Sequence, residues 1–234
     1  MFSETADLYD IIYAFKDYAA EAGRVRELVV RAGGPGSGTL LDVACGTGGH
    51  VGALRAHYRV EGLDLDEGLL AVARRKHPDV VFHHGDMRTF DLGRRFDVVT
   101  CLFSSIGYTR TEDGMRAATA SLARHLRPGG ALVVEPWFAP GQFFPGRVHM
   151  IAVEQPELKV VRMNRSEIVD GVSVLDFHYL IGTPGEIRRA HERHEIGLFT
   201  HEQTLAALEE CGLRVEHDPE GLTGRGVYVG ILAG

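Results

Sequence analysis

The sequence predicts an α/β protein, a mixed seven-stranded sheet with helices on both faces, extended by a small antiparallel β layer. Three observations carry this. The apolar run Leu40-Leu41-Asp42-Val43 leads into the glycine turn Ala44-Cys45-Gly46-Thr47-Gly48-Gly49, which opens a helix. Short apolar runs and helical spacings then alternate as far as Trp137. From 138 to 190 the rhythm changes to β-type runs with no helix between them.

Residues 4–32 show helical spacing, with Leu8, Ile11 and Ile12 on one apolar face and Ala22, Val25, Leu28 and Val29 on the next. They make residues 1–32 a helical N-terminal cap, with Tyr9, Tyr13 and Tyr18 interleaved. The run Gly33-Gly34-Pro35-Gly36-Ser37-Gly38 breaks it off from the first strand. That strand is apolar enough to lie in a parallel sheet covered on both faces. The glycines after it let the backbone turn sharply and approach a ligand with no Cβ in the way. A dinucleotide fingerprint is disfavoured by register, because the third glycine of Gly-x-Gly-x-x-Gly would fall at Val51.

Residues 49–57 are helical, and residues 59–65 form a second strand carrying Asp64 near its end. An acid about 20 residues past such a turn can accept hydrogen bonds from both ribose hydroxyls, while Asp66 is the better helix cap. A helix over 67–76 and a third strand at 80–82 follow, with Gly85-Asp86-Met87 beyond. Residues 96–103 read as a fourth buried strand, and the loop Ser104-Ser105-Ile106-Gly107-Tyr108 lies at its carboxyl end, where open parallel sheets bind ligands. A helix over 112–126 is stopped by Arg127-Pro128-Gly129-Gly130, and residues 131–137 form a fifth strand. In the insert, 148–153, 160–169 and 172–179 are β-type, the last two joined at Asp170-Gly171 as a hairpin. A helix over 201–211 and strands at 213–216 and 227–232 complete the chain, read as a single domain over 1–234.

A net charge of −7 argues against a nucleic acid backbone as substrate. The 44% hydrophobic and 24% charged residues fit a water-soluble globular protein. No apolar stretch reaches membrane-spanning length, and the N-terminal residues lack the regions of a signal peptide, so the expected place is the cytoplasm, with no membrane partner. Cys45, Cys101 and Cys211 are widely spaced in apolar runs and read as core residues, neither a disulfide set nor a metal site.

With Asp42 inside the strand and Ala-Cys-Gly-Thr-Gly after it, the glycine turn resembles motif I of the class I S-adenosylmethionine (SAM) methyltransferases. Gly85-Asp86-Met87 resembles the adenine-edge motif of that class, and Leu126-Arg127-Pro128-Gly129-Gly130 its turn before the fifth strand. Further runs narrow the resemblance: Leu8-Tyr9-Asp10-Ile11-Ile12-Tyr13 with Lys16-Asp17-Tyr18, Phe103 to Tyr108, Glu135-Pro136-Trp137, and Gly224-Arg225-Gly226. Together they look like the dTDP-3-amino-sugar N,N-dimethyltransferases of macrolide deoxysugar pathways, such as the desosamine and mycaminose enzymes. The linker Tyr13-Ala14-Phe15-Lys16-Asp17 departs from that family in being shorter than its glycine- and lysine-rich counterpart.

The resemblance implies a Rossmann-like class I fold, SAM as methyl donor with S-adenosyl-L-homocysteine as product, and a nucleotide-linked amino sugar methylated twice. It allows a homodimer. Carried over by position, Tyr9, Tyr18, Ala44, Gly46, Gly48, Leu65 and Phe103 would contact the cofactor, Asp64 its ribose, and Asp86 and Met87 its adenine. Tyr13, Ser105, Tyr108 and Trp137 would face the acceptor, and Arg225 its diphosphate, a task for a forked, permanently charged head. Tyr108 is the leading catalytic candidate, at a position where some relatives have histidine.

Among the 12 histidines, His178 is the second catalytic candidate, since it alternates with Phe177 and Tyr179 on an insert strand and is expected to face the acceptor pocket. His50 is placed near the amino-acid end of the cofactor, whereas His83, His84, His191, His194, His201 and His217 read as polar residues at element ends. His191 and His194 lack a third ligand at metal spacing, so no metal is expected. The implied reaction is an in-line displacement at a methyl sulfonium, which needs alignment and a free amine more than it needs a metal or enzyme nucleophile. The competing readings are a methyltransferase for another small-molecule amine or hydroxyl, a SAM-binding protein without catalysis, and a DNA amino-methyltransferase. The last should carry Asp/Asn-Pro-Pro-Tyr after the fourth strand, where Leu102-Phe103-Ser104-Ser105 stands.

Overall fold

The computed structural model describes residues 6–234, so residues 1–5 of the expected cap lie outside the described residues. The cap is two helices, α1 (Tyr9–Ile12) after a short 3₁₀ turn and α2 (Tyr18–Arg31), separated by the linker at 13–17. Asp17 caps α2 by accepting the Ala20 N–H at 2.9 Å. The chain continues through β1 (Thr39–Val43), α3 (Gly49–Leu54), β2 (Arg59–Asp64), α4 (Glu67–Lys76), β3 (Phe82–His84) and β4 (Phe96–Cys101). A 3₁₀ turn (Ser105–Thr109), α5 (Glu112–Arg124) and β5 (Leu126–Val134) precede the insert strands β6 (Val148–Gln155), β7 (Leu158–Val169), β8 (Val172–Gly182) and β9 (Ile187–Gly197). Then come α6 (His201–Glu209), β10 (Leu213–Asp218) and β11 (Val227–Leu232).

The main sheet has the order β10-β11-β5-β4-β1-β2-β3, the expected seven strands. It is parallel through β5, and β11 runs antiparallel to both β5 and β10. Every residue of β1 is buried, as a central strand covered on two faces requires. On one face Val25, Leu28, Val51, Leu54 and Leu70 of α2, α3 and α4 pack against it. On the other, Met115, Ala118, Leu122 and Leu208 of α5 and α6 do so.

Some boundaries move. The third strand pairs at Phe82–His84 rather than at 80–82, because Gly62, Leu63 and Asp64 of β2 align with those residues. The expected stop Arg127-Pro128-Gly129-Gly130 lies inside β5: a register shift between Phe96 and Val98 takes up the extra residues. β5 then ends at Val134, which leaves Glu135-Pro136-Trp137 beyond its carboxyl end.

The insert is a second, four-stranded antiparallel sheet, β6-β7-β8-β9. The hairpin at Asp170-Gly171 is present, with both residues at positive φ. β9 carries the layer to Gly197, past the expected limit of 190. Its polar sequence hid it, since only Ala190 and Ile196 among its inward residues are apolar. The inner face of this sheet packs on Leu8 and Ile12 of the N-terminal segment through Val160, Phe177, Tyr179 and Ile181, with Phe143 of the segment before β6 in the same cluster. The insert and the N-terminal segment thus meet above the carboxyl ends of β1, β2 and β4.

Candidate active site

Three left-handed residues, Ala44, Gly46 and Gly48, turn the chain after β1. Asp64 at the end of β2 braces that turn: its Oδ2 accepts the Gly46 N–H at 2.7 Å and its Oδ1 the Asp66 N–H at 2.8 Å. Burial pushes the Asp64 carboxyl up from its usual range, against the lowering effect of those N–H bonds. Asp66 caps α4 as expected, accepting from the Gly68 and Leu69 N–H groups. Asp86 is held by Arg88, whose guanidinium lowers the carboxyl's pKa.

At the end of β4, Phe103 and Ser104 both stand at positive φ, an unfavourable conformation for residues with a Cβ. The fully buried Glu135 holds them there: its Oε2 accepts the Phe103 N–H at 2.6 Å and its Oε1 the Thr223 hydroxyl at 2.6 Å. The Ser104 hydroxyl donates to the Pro136 carbonyl at 2.8 Å. Tyr108 follows on the 3₁₀ turn with its phenol buried, which raises the phenol's pKa well above the usual value.

These elements surround one cavity of about 1300 Å³. Of the residues expected from sequence, Tyr9, Tyr13, Ala44, Gly46, Asp64, Leu65, Asp86, Met87, Phe103, Ser105, Tyr108, Trp137 and Arg225 line it. Tyr18 lines a small adjoining pocket with Tyr9, Asp42, Gly46 and His50. Gly48 lines neither; His77 closes over it, its ring nitrogen 3.0 Å from the Gly48 carbonyl. His178 requires a correction. The period of two on β8 turns Phe177 and Tyr179 inward and His178 out to solvent, where its ring lies 4.7 Å from that of His191.

His149 of β6 lines the cavity, and His194 of β9, read from sequence as a polar residue at an element end, stands behind its wall with its Nδ1 2.8 Å from the Tyr108 hydroxyl. Two cations were also missed. Lys16, from the short linker, lies 4.0 Å above the Phe103 ring and 2.7 Å from Glu21, with its side chain almost wholly buried. Arg162, on the inner face of β7, donates to the Tyr13 hydroxyl at 2.9 Å and lies 4.5 Å from the Phe177 ring. Arg225 sits over Phe103, Trp137 and Phe138, 5.4 Å from the Trp137 ring, and 3.5 Å from Glu135. Among the described residues, the buried side-chain nitrogens without a partner are Arg162 Nε and Arg225 Nε, both on residues of the cavity wall. A buried N–H left unmade is costly, so such a pair of forks marks a place for an anionic ligand.

The donor set also fits SAM. Asp64 offers carboxylate oxygens for ribose hydroxyls, Leu65, Leu69 and Met87 an apolar bed for a purine, and Tyr9, Tyr13 and Phe103 aromatic faces for a sulfonium. No group of histidine, cysteine, aspartate or glutamate side chains suited to a metal occurs among the described residues, and no helix among them is long and apolar enough to cross a membrane.

Comparison with known proteins agrees. Residues 40–130 match the family described as a methyltransferase domain. The dTDP-4-amino-2,3,4,6-tetradeoxy-D-glucose N,N-dimethyltransferase of Saccharopolyspora spinosa is 43% identical over 97% of this chain and 92% of its own. The dTDP-3-amino-3,6-dideoxy-alpha-D-glucopyranose N,N-dimethyltransferase of Streptomyces fradiae is 44% identical over 97% of this chain and 91% of its own. The SAM-bound structure of CalS10, an amino pentose methyltransferase from Micromonospora echinaspora, superposes with a TM-score of 0.86 at 39% identity, covering 96% of each chain. This fold, this cavity and these nearly full-length likenesses place the chain among the SAM-dependent dTDP-amino-sugar N,N-dimethyltransferases, the family to which it belongs.

Proposed function

We propose that this protein moves methyl groups from SAM to the 3-amino group of a dTDP-linked deoxysugar, twice in succession. The observation that carries the acceptor assignment is the pair of unpartnered guanidinium N–H groups on Arg162 and Arg225, which suit a diphosphate in a cavity large enough for two reactants. In this reading Asp64 binds the ribose, Asp86 and Met87 lie at the adenine, Tyr9 and Tyr18 close over the cofactor, and Tyr13 and Trp137 flank the sugar. Tyr108 orients the amine. When bound, SAM supplies a methyl carbon whose bond to the positive sulfur breaks, with its electron pair, as the nitrogen lone pair attacks. The chain's contribution is alignment, worth on the order of 7–11 kcal/mol in favourable systems, and a route for the proton.

The test is mass spectrometry of products from SAM and a panel of dTDP-3-amino and dTDP-4-amino deoxysugars. The 4-amino compounds belong there because the 3-amino and 4-amino relatives are equally similar to this chain. Gains of one and two methyl groups on a 3-amino sugar are expected; methylation confined to other amines or to hydroxyls would overturn the reading. Arg225→Ala should raise the KM for the nucleotide sugar at least tenfold and change the SAM affinity little, because the diphosphate is remote from the transferred methyl. Equal effects on both substrates would make the arginine structural, a brace for Glu135.

A further inference from the structure

We propose that His194, held by Glu192, takes up through Tyr108 the proton that leaves the acceptor nitrogen. The proposal rests on the N-methyltransferase reading above. β9 turns Glu192 and His194 inward together, two residues apart and both buried. A buried carboxylate and imidazole are costly unless paired. Here they form a chain: the Tyr179 hydroxyl donates to Glu192 Oε2 at 2.9 Å, the same oxygen faces His194 Nε2 at 3.4 Å, and His194 Nδ1 meets the Tyr108 hydroxyl at 2.8 Å.

The partners assign the tautomer. A carboxylate is an acceptor only, so Nε2 carries the hydrogen that faces Glu192, and Nδ1 presents a lone pair to the Tyr108 O–H. With its hydrogen committed to His194, the phenol oxygen keeps its own lone pairs for an amine N–H in the cavity. Burial holds the phenol well above its usual pKa, so Tyr108 is a conduit and not a standing base. Groups against His194 include Tyr108 from the 3₁₀ turn, Glu192 from its own strand and Phe177 from β8, with Tyr179 on Glu192 and the Arg162 guanidinium beyond Phe177.

The step balances. The N–C bond forms from the nitrogen lone pair, and the C–S electrons stay on sulfur. The alkylated nitrogen, now positive, passes a proton to the phenol oxygen while the phenol's own proton moves to His194 Nδ1. The imidazolium is held against the Glu192 carboxylate, and the proton returns through Tyr108 to water as the product leaves. The monomethyl amine is thereby a free base again, ready for a second transfer.

His194→Asn keeps an oxygen where Nδ1 accepts from Tyr108 and removes the proton acceptor; Glu192→Gln keeps the Tyr179 contact and removes the charge. Each should lower kcat tenfold to a hundredfold, leave the calorimetric SAM affinity within about twofold, and raise the share of monomethyl product. The pH–rate profile of each variant should keep only the limb set by the amine's own ionisation and lose any other that the wild type shows. Folded variants with wild-type kcat, product ratio and pH profile would overturn the relay, as would parallel losses in SAM affinity and kcat with an unmoved profile. Independently of turnover or of variant folding, ¹⁵N NMR of the wild-type protein should show His194 protonated at Nε2, and an Nδ1–H tautomer would overturn it. A wild type that methylates no amine in the panel would instead sink the function reading.

Discussion

Asp64 has a structural job that the sequence did not show. The acid was expected to meet a ribose, and its carboxylate also accepts the Gly46 and Asp66 N–H groups that shape the glycine turn. Asp64→Ala should therefore weaken SAM binding by about 2–3 kcal/mol, the worth of one or two charge-assisted bonds, and calorimetry showing unchanged affinity would remove the assignment. Asp42, buried inside β1 and accepting from the Thr100 hydroxyl at 2.7 Å, makes a different prediction. Desolvation pushes its pKa up to about 6, with His50 opposing. A folded-state pKa above the unfolded value favours the native state when the group is protonated, so that stability is complete below about pH 4 and lost as pH rises through about 6. Asp42→Asn should keep the Thr100 bond and escape this loss. Its stability advantage over wild type should grow by about 2–3 kcal/mol between pH 4 and pH 7 in denaturant titrations. A gap that does not vary with pH would refute this.

At the scale of elements, the site depends on how closely the 3₁₀ turn after β4 presses on β9. Gly107 permits it: a Cβ there would collide with Ile196 Cγ2 and stand 3.3 Å from Trp137 Cβ. Gly107→Ala should cost about 1–3 kcal/mol through overpacking. It should also separate Tyr108 from His194, so kcat should fall while SAM affinity stays within about twofold. Wild-type melting temperature and turnover in that variant would show that the two elements are not packed tightly. The same contact explains why β9 was illegible. A strand is read from alternating apolar residues, yet its inward positions include Glu192 and His194, which are satisfied by Tyr179 and Tyr108 on other elements.

For the molecule as a whole, the cap, the insert and the ends of the parallel strands line a large cavity together, so a ligand there stabilises all of them. SAM at about 100 times its dissociation constant should add about 2.7 kcal/mol, or roughly 5–11 °C of melting temperature for a chain of this size. Nicotinamide dinucleotides at equal concentration should give no such shift, given the glycine register at Val51. Absence of a SAM shift would contradict the cofactor site. The sequence by itself determined the seven-stranded α/β sheet, the glycine turn, Asp64 and the loop bearing Tyr108. Each of these is written in the spacing of chain neighbours: apolar runs, glycines, and an acid 18 residues on. Tertiary structure alone decided that His194 and not His178 backs the site through Tyr108, and that Lys16 and Arg162 join Arg225 in the cavity wall. Those outcomes depend on which way one strand faces and on partners as distant as the 86 residues between Tyr108 and His194. A period of two places a strand's alternate residues on opposite faces, but only the packing of that strand against another element says which face is in.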